Sequence, residues 1–354
     1  MPLIELRNLS AAYEDFVTGN SIQILAAVNL SLKHGQLCTI LGPSGSGKST
    51  LLKAIVGLAP VLEGDILIDG KSIKNVQVNK RNFGYVPQDP TLFQHLNVEK
   101  NIAFGLRARK LVHAEITKRV HEIAEIVGIR DILKKPVDQI SGGEAQRVSL
   151  SRALAPNPQI LLMDEPFSSL DITLRQRLAL EYRRIQKELG VTAIHVTHDQ
   201  GEARLLSDLV GVISEGTLSQ IAPRDRIFSS PVNWRVAQTV GFSNVLSPSD
   251  YSFFGFSKGT EETFPHGGYL DPRKILLGLY SRDGLQAKII SSQLRKTDIV
   301  RSDFGPEERS HGVHVWLRVE EWGFLEGISE IPLEEGLNTR IGNFQAAFEP
   351  FGEK

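Results

Sequence analysis

The chain has 354 residues, with 40 Lys and Arg against 41 Asp and Glu and a formal net charge of −1, a balance that argues against a protein drawn to nucleic acid by its overall charge. Its 41% hydrophobic and 23% charged residues are globular values that exclude a disordered chain, and the length suits two or three domains. No apolar run approaches the ~18 residues of a membrane span, and the single cysteine, Cys38, excludes an intrachain disulfide framework and fits a reducing compartment. Met1 to Arg7 lack the basic region and apolar stretch of a secretory signal, so a soluble cytoplasmic chain is expected.

Up to about residue 225, apolar β-rich runs alternate with helical patterns, which predicts an α/β domain on a largely parallel sheet. Gln36 to Leu41 reads as a buried strand and Ser49 to Leu58 as the helix after it. Between them, Gly42-Pro43-Ser44-Gly45-Ser46-Gly47-Lys48-Ser49 matches G-x-x-x-x-G-K-[ST] in the strand–loop–helix context the motif requires, and Thr50 continues it. Glycines let backbone N–H groups converge on phosphate oxygens, and the helix N-terminus adds partial positive charge. Lys48 is suited to the β- and γ-phosphates, and the Ser49 hydroxyl to Mg²⁺. A chance match in a chain of this length is on the order of one in a hundred.

Further along, Gln88 follows Tyr85-Val86-Pro87, and residues 111 to 135 carry apolar positions at helical spacing (Ile116, Val120, Ile123, Ile126, Val127). Ser141-Gly142-Gly143-Glu144 opens a helix to about Leu154. Its glycines expose backbone donors to an anion, although an ordinary N-cap accounts for the same residues. Leu161-Leu162-Met163-Asp164-Glu165 is an apolar strand ending in two carboxylates, at the end of a parallel strand where ligands bind. Asp164 is placed to hold Mg²⁺, and Glu165 to orient or deprotonate an attacking water. Val191 to Thr197 is another buried strand, followed by His198; His195 is assigned to packing and Cys38 to a buried, inert thiol.

From about residue 243 the composition shifts to Gly, Pro and Ser, with short alternating segments. Val313 to Val319 has apolar odd positions, the pattern of a half-buried antiparallel strand. A small barrel or sandwich is predicted there.

Taken in order, the phosphate loop, Gln88, Ser141-Gly142-Gly143, Asp164-Glu165, Ser168-Ser169-Leu170-Asp171 and His198 resemble the ATP-binding cassette ATPases over roughly residues 3 to 225. The resemblance implies a P-loop cassette of residues 1–225 with a helical subdomain at about 88–155. A connector, 226–243, and an all-β, OB-like accessory domain, 244–354, would follow. It further implies a head-to-tail homodimer trapping two ATP molecules with Mg²⁺, each between one phosphate loop and the partner's Ser141-Gly142-Gly143. Gln88 looks like the glutamine that senses Mg²⁺ and the γ-phosphate, His198 like the switch histidine, and Asp171 like the aspartate of the loop that crosses the interface. Tyr13 looks like the aromatic that stacks on adenine, with Phe16 as the alternative. Glu144 departs from the family's usual glutamine and adds negative charge near a γ-phosphate.

One phosphate loop, no membrane domain and no long insertion between Ser49 and Ser141 point among cassette proteins to the detached ATPase of a membrane importer. Asp89 to Leu106 resembles the importer region that docks a permease coupling helix, centred on Phe93 with Leu92 and Leu96. Residues 268 to 275 resemble, in diverged form, part of the accessory β-domain of importers for sugars, polyamines, ferric iron and oxyanions. The expected partners are permease subunits and, indirectly, an extracytoplasmic binding protein, at the cytoplasmic face of the cell membrane. The alternative is a soluble cassette ATPase acting as a nucleotide switch on a cytosolic partner.

Overall fold

The computed structural model describes residues 3–14, 21–168, 170–242 and 245–246, and beyond them the backbone of strands lying between residues 268 and 350. The chain divides into two units, Met1–Ile227 and Phe228–Lys354. In chain order the first holds β1 (Ile4–Glu14), β2 (Ser21–Leu32), β3 (Leu37–Leu41), α1 (Lys48–Val56), β4 (Val61–Ile68), β5 (Lys71–Ser72) and β6 (Phe83–Val86). Then come α2 (Val98–Ala108), α3 (His113–Val127), α4 (Gly142–Leu154), β7 (Ile160–Asp164) and α5 (Ile172–Leu189). The last elements are β8 (Thr192–Thr197), α6 (Gln200–Leu206), β9 (Leu209–Ser214) and β10 (Thr217–Pro223).

Two sheets form. The antiparallel one runs β2-β1-β4-β5; the larger runs β10-β9-β3-β8-β7-β6, parallel except for β10 at its edge. Strands β3, β7 and β8 are buried at every position, which is why they read as continuous apolar runs. Side chains alternate between the faces: Leu161 and Met163 enter a core shared with α2, α3, α4 and α5, while Ile160 and Leu162 enter a second core with α1 and the antiparallel sheet. Fully burying one such side chain contributes roughly 1.5–3 kcal/mol.

Helix ends follow local chemistry. Helix α3 stops where Gly128 takes the left-handed conformation, and α5 starts at Asp171, whose side chain accepts from Leu174 N, and stops at Gly190. The order β3-β8-β7-β6 sets four strand ends side by side, so the segments after Leu41, Thr197, Asp164 and Val86 emerge at one edge of the sheet.

Helix α7 (Arg224–Ser229) spans the boundary between the units, and α8 (Trp234–Val240) occupies the stretch expected as a connector. The strands of the second unit are β11 (Val245–Leu246), β12 (Gly268–Leu270), β13 (Leu276–Leu277), β14 (Leu285–Val300), β15 (Arg309–Val319), β16 (Gly323–Ser329), β17 (Asn338–Gly342) and β18 (Phe348–Pro350). They form antiparallel sheets of order β11-β12-β18 and β13-β17-β14-β15-β16, and the alternating segment Val313–Val319 lies in β15. Among the described residues no helix is long and apolar enough to cross a membrane.

Candidate active site

The loop from Gly42 to Gly47 leaves β3 and delivers α1 with a bare N-terminus: no side chain caps it and its first turn has no acid. Two of its glycines are there for geometric reasons. Gly47 has φ 103°, and a Cβ on Gly42 would stand 2.4 Å from the Ile213 carbonyl oxygen. The result is a concave row of backbone donors at the positive end of a helix, a fit for phosphate. Lys48, 4% exposed, donates from Nζ to the Gly42 and Pro43 carbonyls, both at 2.9 Å, and lies 3.4 Å from Glu165 Oε1. Within the loop, Ser46 Oγ is buried with no hydrogen-bond partner among the described residues.

At the end of β7, Asp164 is 6% exposed and accepts from Ser49 Oγ at 2.7 Å on Oδ1 and from Tyr85 OH at 3.1 Å on Oδ2. Among the described residues no group of three or more His, Cys, Asp or Glu gathers as a metal site. The Ser49–Asp164 pair is instead a set of two hard oxygens, which fits Mg²⁺, an ion that takes few protein ligands and completes its shell with phosphates and water.

Glu165 adopts φ 43°, a left-handed conformation uncommon outside glycine and typical of functional positions, and its N–H donates to the Val196 carbonyl at 3.0 Å. That conformation turns its carboxylate between Lys48 and His198, with Oε2 2.9 Å from His198 Nδ1. Gln88 is exposed after β6 and reaches the same place indirectly: its Nε2 donates to Ser168 Oγ at 3.3 Å, and Ser168 Oγ donates to the Glu165 carbonyl at 2.9 Å. Lys48, Ser49, Gln88, Asp164, Glu165 and His198 are thereby brought together.

Ser141, Gly142 and Gly143 lie elsewhere. They line an open groove with Asp171 and Leu174 that none of residues 42–50 shares. Here the N-cap explanation holds locally: Ser141 Oγ accepts from Glu144 N at 3.3 Å, and Glu144 Oε2 accepts from both Ser141 N and Ser141 Oγ at 2.7 Å. Those backbone and hydroxyl donors hold the Glu144 carboxyl below its ordinary range. Asp171 likewise caps its helix. Tyr13 sits in β1 opposite Ile22. Its rival Phe16 lies outside the described residues, as does Ser169.

The Phe93 loop is held by buried Asn101, whose Oδ1 accepts from Phe93 N at 2.9 Å while its Nδ2 donates to the Phe93, Leu96 and Asn97 carbonyls. Phe93 stacks on Phe104 with centroids 4.4 Å apart, under the Arg152 guanidinium, and Phe104 is 48% exposed.

Several participants escaped sequence reasoning. Tyr85 and Ser168 stand in runs that single out Gln88 and Asp171 and have no role of their own in the sequence, whereas the structure bonds Tyr85 to Asp164 and Ser168 to both Gln88 and Glu165. His195 is fully buried but is more than packing, because its Nε2 lies 2.9 Å from Glu202 Oε2. Its burial was legible from the strand pattern; its partner, seven residues on, was not. Cys38 is buried and its thiol is pushed up to about 12 by desolvation, which leaves little thiolate at neutral pH.

The sequence profile of the ABC transporter family matches residues 25–168, a stretch that takes in the phosphate loop, Gln88, the Ser141 segment, Asp164 and Glu165. Over 222 residues the chain is 45% identical to the molybdate/tungstate import ATP-binding protein WtpC of Thermococcus kodakarensis, which covers 63% of this chain and 67% of that protein. The chain belongs to the ABC transporter family. This ABC chain is also 42% identical over 243 residues to the spermidine/putrescine import ATP-binding protein PotA of Thermotoga maritima, covering 69% of this chain and 64% of that protein. The aligned stretches thus span about two thirds of the length of these curated relatives. Among solved structures, a dimeric post-hydrolysis ATP-binding cassette bound to ADP and phosphate superposes with a TM-score of 0.56 at 28% identity, over 62% of this chain and 98% of that one. The P-loop ABC ATPase fold, with its mixed α/β sheets, is therefore that of the first unit.

Proposed function

We propose that the chain is the ATP-hydrolysing subunit of a membrane importer, working as a head-to-tail homodimer on a separate permease. The observation that carries the ATPase reading is the placement of the Glu165 carboxylate between Lys48 and His198, beside the Ser49–Asp164 oxygen pair. Bound MgATP would supply the phosphoanhydride whose γ-phosphoryl group passes to water, with charge neutralised at the β- and γ-oxygens.

The chain's own residues do the rest. Backbone N–H groups of residues 44–49 and the start of α1 cradle the phosphates, with Thr50 in the same first turn. Lys48 turns its ammonium from Gly42 and Pro43 toward the anion. Ser49 and Asp164 would hold the ion, and Gln88 is the further residue assigned to it, tied through Ser168 to the Glu165 carbonyl. Glu165 accepts a proton from the attacking water while His198 fixes the carboxylate's orientation. Ser141, Gly142, Gly143 and Asp171, set apart in their own groove, would face the nucleotide of the second subunit, and Tyr13 is the residue assigned to adenine.

The importer part is supported by the names of the two relatives and by the Phe93–Phe104 pair, in which Phe93 is half-buried and Phe104 exposed. A polyamine and an oxyanion are both small charged solutes, and we take that class as the cargo. The antiparallel strands of the second unit suit an OB-like accessory domain, and the chain would sit peripherally at the cytoplasmic face of the cell membrane. The test is recovery of a polytopic membrane protein with the tagged chain from gently solubilised membranes. Phe93→Asp together with Phe104→Asp should lower that recovery by about tenfold, as expected for loss of a central aromatic anchor. Recovery of cytosolic partners alone would favour the nucleotide-switch alternative.

Glu144 yields a second expectation. Its carboxylate would face the partner's γ-phosphate across the closed dimer, so Glu144→Gln should tighten ATP-driven dimerisation by about two- to fivefold at low salt, the gain shrinking as salt screens it. Sedimentation at two ionic strengths checks this; an unchanged dimer constant at both would remove the repulsion.

A further inference from the structure

Arg175 stands at the start of α5 with its side chain only 18% exposed, and its guanidinium reaches two loops that leave neighbouring strands. Nη2 donates to the Ser168 carbonyl at 3.3 Å and to the Leu170 carbonyl at 3.0 Å, which hold the loop after β7. Nη1 donates to Asp199 Oδ2 at 2.8 Å, in the loop after β8. The third nitrogen, Nε, has no hydrogen bond among the described residues but lies 3.9 Å from Glu202 Oε1, and Glu202 is itself bonded to the buried His195. Asp199 also caps α6 through Oδ1 to Glu202 N at 3.0 Å. The planar fork of arginine suits this triple contact; a lysine ammonium would keep the Asp199 pair but could not span both carbonyls as well.

The two loops hold the residues that the proposed function assigns to different nucleotides. Asp199 is next to His198, which bonds Glu165 and serves the chain's own ATP, while Ser168 and Leu170 precede Asp171, which serves the partner's. With Arg175 bonded to both, one loop cannot shift alone without breaking a charge-assisted hydrogen bond. We propose that Arg175 is a positioning residue that ties the Ser168–Asp171 loop to the His198 segment, so that nucleotide sensed at one site sets the face presented to the partner. This rests on the ATPase reading above.

The test uses the full chain carrying Glu165→Gln, so that ATP is bound without turnover. Adding Arg175→Met should leave ATP affinity, measured by calorimetry on dilute protein, within about twofold, while the midpoint of ATP-driven dimerisation rises about tenfold. Arg175→Lys should recover part of the loss. Asp199→Asn cuts the tie from the other end and should show the same split, and it carries the test if Arg175→Met does not fold. A purely structural role would lower ATP affinity and dimerisation in parallel; that outcome, or unchanged dimerisation in both variants, overturns the proposal. Absence of any ATP-dependent dimer in the Glu165→Gln background would remove the underlying reading of the site, whereas a normal background dimer with unaffected variants removes only the role of Arg175.

Discussion

Glu165→Gln is expected to lower ATP turnover by about 10²- to 10⁴-fold, the usual worth of a positioned general base, while leaving ATP binding intact. The substitution keeps the shape of the side chain and its hydrogen bond from His198, now made to an amide oxygen, but removes the group able to take a proton from water. It also removes a negative charge 3.4 Å from Lys48 and beside the incoming phosphates. ATP should then bind at least as tightly and accumulate an ATP-bound dimer in size-exclusion chromatography. Wild-type turnover in this variant would take Glu165 out of the catalytic role and leave the phosphate loop assignment standing.

The second large effect is expected from Lys48→Ala. The ammonium is nearly fully buried, and in the proposed site it would donate charge-assisted hydrogen bonds to phosphate that an alanine cannot make. Losing them should weaken ATP binding by about 100-fold, on the scale of one or two hydrogen bonds to a charged group. Thermal melting with and without nucleotide reads this directly. At ATP near 100 times the wild-type dissociation constant, the stabilisation of about 2.7 kcal/mol should fall to about 0.4 kcal/mol. The nucleotide-free melting point reports whether the fold survived, since Glu165 then keeps its hydrogen bond with His198 but loses Lys48, and the Gly42 and Pro43 carbonyls lose the Lys48 ammonium. Undiminished ATP stabilisation would contradict the assignment of the loop.

Much of the site was readable because its chemistry is local. The run Gly42 to Ser49 dictates a turn that only glycine tolerates at Gly47, followed by a helix start, and both are properties of neighbouring residues along the chain. The apolar runs ending at Leu41, Asp164 and Thr197 are likewise buried strands for the reason they were read so: a sheet covered on both faces leaves no polar alternation. Ser141 shows where local reading divides. Its capping box with Glu144 satisfies an N-cap account completely, so the hydrogen bonds within one chain leave its relation to a second subunit to the proposal above.

What the sequence determined by itself, then, is the set of groups able to handle a phosphate and a hard cation, and the α/β frame that carries them. Only the tertiary structure decided which of those groups meet. Ser49 and Asp164 are 115 positions apart, on α1 and β7, and Tyr85 joins them from β6. Arg175 reaches Asp199 across 24 positions, and His195 turns out to be paired with Glu202 rather than merely packed. These contacts depend on the order β3-β8-β7-β6 and its register, which bring separate strand ends to one edge. Strand order is the outcome of burying two cores at once, a condition summed over the whole domain that no single segment of the chain expresses.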